Sequence, residues 1–132
     1  MKKNEALRNP LANARGLGSA KEGSHHWWLQ RLSALIIIPT SIWFMYSLLT
    51  VLLAADPLDV AIWLQEPLRA VVLTIMLGAM FFHAKLGLQV VIEDYVHKPL
   101  PKYVLLIGNN FLFLTIAATS LFAIIKLHIY GI

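Results

Sequence analysis

The sequence contains no cysteine. That excludes a disulfide framework, a thiolate metal site and iron–sulfur ligation within this chain. Any metal held here must use histidine or oxygen ligands. An internal repeat and a low-complexity tract are also missing. The first 30 residues lack the apolar stretch and cleavage signal of a secretory leader, so they are not read as one. A basic face interleaved with aromatic residues is absent too, so the net charge of +4 does not point to nucleic acid.

What is present is apolar. Hydrophobic residues make up 58% of the 132, and the mean hydropathy is +0.68. Soluble domains have roughly 45–50% apolar residues. Three runs, Leu32 to Ala54, Leu68 to Ile92 and Tyr103 to Ile125, reach the ~20 residues that a helix needs to cross a ~30 Å hydrocarbon core. The expected fold is an all-α membrane protein with three transmembrane helices, 32–54, 68–92 and 103–125, behind an irregular N-terminal arm, 1–31. Pro39 predicts a kink in the first span. Trp27 and Trp28 read as an interfacial aromatic belt, with Trp43 lying deeper. Three helices that are apolar nearly all round leave little room for an internal site, so packing with a partner subunit in the membrane is expected.

The charges give an orientation. Lys2, Lys3, Arg8, Arg15, Lys21 and Arg31 precede the first run, while the first loop, Ala55 to Pro67, has no Lys or Arg. The second loop, Glu93 to Lys102, carries Lys98 and Lys102. The positive-inside rule therefore puts the N-terminus and the second loop in the cytoplasm, with membrane lipid around the spans. Arg69 and Lys126 count against this but are outnumbered.

The chemistry concentrates in HAKLGLQVVIEDYVHKP, His83 to Pro99. If Ile92 marks the surface, His83 lies roughly 13 Å below it, near the bilayer centre. Ionisable groups at that depth are rare and usually functional. One reading is a neutral histidine bonded to a neighbouring helix. The other is a ligand. Eleven residues separate His83 from Asp94, which returns to within about 20° of the same face, and Ala79 and Gly87 flank His83 on that stripe. Small residues beside a histidine leave a flat recess for a broad planar group, although close helix packing also favours them. A haem held here would need its second axial ligand from another chain. Lys85, about 200° around from His83, is read as a snorkelling or partner-contacting lysine. Tyr95 at the helix mouth can donate a hydrogen bond to the carbonyl of a lipid-soluble ligand, with Asp94 orienting groups or relaying protons. Asp94 and Tyr95 also suit a plain polar helix end stopped by Pro99. Arg31 is either a headgroup anchor or a partner for a cofactor carboxylate. Asn109 and Asn110 are read as interhelical hydrogen-bonding residues.

These segments resemble the small membrane-anchor subunit of succinate dehydrogenase, the D-type subunit of respiratory complex II. The resemblance rests on SHHWWLQRLSA, on HAKLGLQVVIEDYVH and on the three-span layout, and covers roughly residues 15–130. It implies that His83 is an axial ligand to the iron of haem b, which is shared with a large cytochrome b anchor subunit. It implies that Tyr95 hydrogen-bonds a quinone, with Asp94 beside it, and that Arg31 and His25 lie by the haem propionates. The neighbouring His26 competes with His25 for that part. The partners implied are the flavoprotein and iron–sulfur subunits, in a bacterial cytoplasmic membrane. The subunit would carry no catalytic group for succinate itself. The alternatives are the anchor of a related fumarate reductase and a cofactor-free structural membrane subunit.

Overall fold

A computed structural model describes residues 21–130. Four helices account for most of them: α1 Lys21–Thr50, α2 Pro57–Gln65, α3 Pro67–Tyr95 and α4 Pro99–Tyr130, with a single 3₁₀ turn, Leu52–Ala54, after α1. No strand occurs among the described residues. The segments His25–Ala54, Pro67–Tyr95 and Pro99–Tyr130 are each long and apolar enough to cross a membrane. The chain is thus an all-α, multi-pass membrane protein, as its three apolar runs predict. Each of α2, α3 and α4 begins at a proline, whose missing N–H costs nothing at a position with no intrahelical acceptor.

Three local expectations need correction. The N-terminal arm was expected to stay irregular to residue 31, but α1 already starts at Lys21; residues 1–20 lie outside the described part. Extending an existing apolar helix backwards needs no new nucleus, so a proline-free stretch joins it readily. The loop expected over 55–67 holds α2, a helix too short to span. The second connection shrinks to Val96–Lys98, between the ends of α3 and α4. The helix continues through Pro39, and the Thr40 hydroxyl beside it donates to Ile36 O at 2.7 Å and Ile37 O at 3.2 Å.

The packing is a layer with α3 in the middle. α3 packs extensively against both α1 and α4, while α2 packs against α3 and α4. The buried apolar residues are Ala61, Trp63 and Leu64 of α2, Ala70, Met76, Leu86 and Ile92 of α3, and Ile124 of α4. Trp63 stacks on Trp43 with 5.7 Å between centroids. Arg69 lies 5.3 Å above the Trp63 ring and pairs with Glu66 at 2.6 Å. Its charge is therefore locally matched. His128 Nδ1 donates to Leu64 O at 3.1 Å, tying α4 to α2. No large side chain among the described residues is fully buried, and long rows of Leu, Ile, Val and Phe lie exposed. In water that would be untenable; lipid or a second membrane subunit can cover such surfaces.

Candidate functional site

His83 points at α1, and both its ring nitrogens have partners there. Nε2 lies 3.0 Å from the Gln30 side-chain nitrogen, and Nδ1 lies 2.9 Å from Ser33 Oγ. The directions of these bonds follow from chemistry. The Gln30 amide nitrogen also lies 3.4 Å from His83 O, which can only accept. That end of Gln30 is therefore the NH₂ group, and Nε2 accepts from it. Nδ1 then carries the proton and donates to Ser33 Oγ, whose own hydrogen goes to Gln30 O at 2.9 Å. Every donor in this ring has an acceptor. Ser33 is only 4% exposed, and His83 is half-buried.

A cleft of about 560 Å³ opens beside this network, between the N-terminal part of α1 and the C-terminal half of α3. Its walls include Trp27, Gln30, Leu86, Gly87, Val90 and His26. The volume lies inside the ~300–1,000 Å³ range of small-ligand sites. Gly87 is part of the cleft wall. A Cβ added there would approach only Gln30 Nε2, at 3.7 Å. His26, not His25, lines the cleft; His25 is exposed. Arg31 is exposed on the same end of α1, with its guanidinium 4.3 Å above the Trp27 ring. Asp94 is exposed and Tyr95, the last residue of α3, is 79% exposed. Lys102 of α4 donates from Nζ to Glu93 O at 3.0 Å, capping the helix end that carries Asp94 and Tyr95. No group of three or more His, Asp or Glu side chains converges among the described residues.

Lys85 lies away from this cleft. It lines a separate groove of about 260 Å³ between α3 and α4 with Asn110 and Phe113. Asn109 reaches across as expected, donating from Nδ2 to Lys85 O at 3.1 Å. Its Oδ1 is buried without a partner, and Asn110 is exposed.

Gln30 and Ser33 are the residues that the sequence did not single out. The available signal was modest: two uncharged polar side chains three apart, on one face at the entry to an apolar helix. A polar pair entering a membrane needs a partner, and a histidine on the next span is one.

The fold and the cleft define a small three-span membrane subunit with one histidine held between two helices beside an open recess. The chain belongs to the family of succinate dehydrogenase/fumarate reductase transmembrane subunits, whose model matches residues 5–125. It is 41% identical over 91 residues to the succinate dehydrogenase hydrophobic membrane anchor subunit of Rickettsia bellii (strain RML369-C), covering 68% of this chain and 71% of that protein. The subunit of the same name from Rickettsia conorii (strain ATCC VR-613 / Malish 7) is 40% identical over 111 residues, covering 82% and 86%. That from Rickettsia felis (strain ATCC VR-1525 / URRWXCal2) is 41% identical over 99 residues, covering 73% and 80%. No solved structure matches significantly.

Proposed function

We propose that this chain is the small anchor of a succinate:quinone oxidoreductase in a bacterial cytoplasmic membrane, with its N-terminus in the cytoplasm. The carrying observation is an open cleft lined by Gly87 and by Gln30, the partner of His83 Nε2, toward the end of α3 that terminates in Asp94 and Tyr95. In this reading the flavoprotein subunit oxidises succinate and the iron–sulfur subunit passes the electrons on. The anchor docks them with the large cytochrome b subunit, whose surface covers part of the exposed apolar layer.

The residues present fit a haem b. His83 offers Nε2 as an acceptor, Gly87 leaves the wall without a side chain, and Trp27, Leu86 and Val90 supply apolar contact. Bound there, haem b supplies a one-electron redox centre shared with the cytochrome b subunit. His83 would hold the iron through Nε2. Arg31 and a histidine of the His25–His26 pair would serve the propionates; His26 is the one of the two that lines the cleft. Tyr95 donates from its phenol to a quinone carbonyl, and Asp94 orients the site and passes protons from the aqueous side. An exposed helix end suits both tasks, since protons must reach the quinone from water. The subunit names of the relatives favour the dehydrogenase over the fumarate reductase direction.

A reduced-minus-oxidised visible spectrum of the detergent-purified complex, native beside His83→Ala, tests the haem assignment. Loss or shift of a low-spin b-type signal in the variant is expected. An unchanged haem signal overturns His83 as ligand. Tyr95→Phe tests the quinone part separately: kcat/KM for quinone should fall about two- to tenfold, the worth of one hydrogen bond, with the spectrum unaltered. Full quinone-linked turnover in Tyr95→Phe would remove Tyr95 from the site.

A further inference from the structure

We infer that Ser33 fixes the tautomer and direction of the His83 ring, and that Gln30 holds its coordinating nitrogen until haem iron takes that position. This rests on the reading of His83 as a haem ligand. The two nitrogens of His83 are treated differently by their surroundings. Nδ1 faces Ser33, which is 4% exposed and so built into the α1–α3 contact. Nε2 faces Gln30, whose side chain lines the open cleft. Gln30 thus touches both His83 Nε2 and the cleft, of whose wall it is part.

That amide is placed to yield. Its nitrogen already lies 3.4 Å from His83 O, so it keeps an acceptor when the Nε2 lone pair goes to iron. Gln30 Nε2 is also the sole atom that a Cβ at Gly87 would approach within 4 Å, so that space is filled by a flexible side-chain tip rather than by backbone. Ser33 stays behind. By accepting from Nδ1–H it leaves Nε2 deprotonated, aims the ring and raises the basicity of the ligand. A more basic imidazole favours the ferric state, so Ser33 holds the haem potential down. Ser33 is a positioning residue in this sense, acting through His83.

The test uses the whole detergent-purified complex and the matched pair Ser33→Thr and Ser33→Val, which share a shape and differ in the hydroxyl. Ser33→Val should raise the haem midpoint potential. It should also speed haem loss to a scavenger by about tenfold or more, the usual cost of removing such a partner; Ser33→Thr should stay near native in both. Gln30→Ala should speed haem uptake by complex assembled without haem, because Nε2 is then no longer held by the amide. Should the valine variant fail to assemble, Ser33→Ala gives the same comparison without added bulk. Equal potentials and equal retention in the matched pair, alongside a His83→Ala variant that has lost its signal, would overturn the inference and leave the haem reading intact. An uptake rate equal to native in Gln30→Ala would overturn the place-holder role. A native signal in His83→Ala would remove the haem reading itself.

Discussion

Trp43 of α1 and Trp63 of α2 stack at 5.7 Å with their planes 26° apart. That contact explains why a nine-residue helix persists between two spans. Alone, a helix of this length would not form in water. Trp63, 6% exposed, docks it against α1, and His128 pins its last turn from α4.

Trp63→Ala should therefore be the most damaging substitution at this end of the molecule. Removing a buried tryptophan costs ~3–5 kcal/mol, and the stacking adds ~0.5–1.5 kcal/mol. Thermal unfolding of the detergent-solubilised complex should show a clear loss of stability, with Trp63→Phe intermediate. A melting temperature unchanged in Trp63→Ala would mean that α2 contributes little to the fold.

Asn109 makes the opposite case. Its Nδ2 bonds Lys85 O, but Oδ1 is buried without a donor. An interhelical hydrogen bond in a membrane is worth about 0.6 kcal/mol on average, while an unpaired buried acceptor costs roughly 1–3 kcal/mol. Asn109→Leu, close in size, is expected to be neutral or stabilising. Denaturant titration in mixed micelles decides it: a loss above ~2 kcal/mol would show that Oδ1 has a partner in the assembled complex.

The two glycines of α3 should separate packing from function. Nothing lies within 4 Å of a Cβ built at Gly78, and at Gly87 only Gln30 Nε2 does, at 3.7 Å. Gly78→Ala and Gly87→Ala should both fold, each gaining up to ~1 kcal/mol of helix propensity. Gly87→Leu should place a branched side chain in the cleft and reduce haem content, measured by pyridine haemochrome. Full haem content in Gly87→Leu would move the macrocycle off this wall.

Lys102 caps the end of α3 by donating to Glu93 O at 3.0 Å. A cation there is worth about 0.3–1 kcal/mol, equivalent to roughly a two- to fivefold change in an equilibrium constant. In Lys102→Met the turn carrying Asp94 and Tyr95 should fray, raising the quinone KM by about that factor without altering the haem spectrum. An unaltered KM would show that the Tyr95 turn is held by other contacts.

The sequence by itself determined the spans, because each is a local sum: about twenty apolar side chains in a row cross a membrane whatever surrounds them. It also determined the spacing of His83, Gly87 and Asp94 along α3, since helix geometry is local. That His83 and Asn109 bond to neighbouring helices agrees with the same kind of rule, that a polar group at depth seeks a partner, but which helix each one meets came from the packing. The rest depended on rotation and contact. Helices apolar on every side give no moment to say which face meets which neighbour, so the choice of Gln30 and Ser33 as partners of His83, and of His26 over His25 as the cleft wall, came only from how α1 and α3 pack. The same holds for α2. Its nine residues are too few to declare themselves as a helix, and they are held by Trp43, 20 positions before Trp63, and by His128, 64 positions beyond Leu64. Contacts so distant in sequence leave no local pattern, and only the assembled layer brings them together.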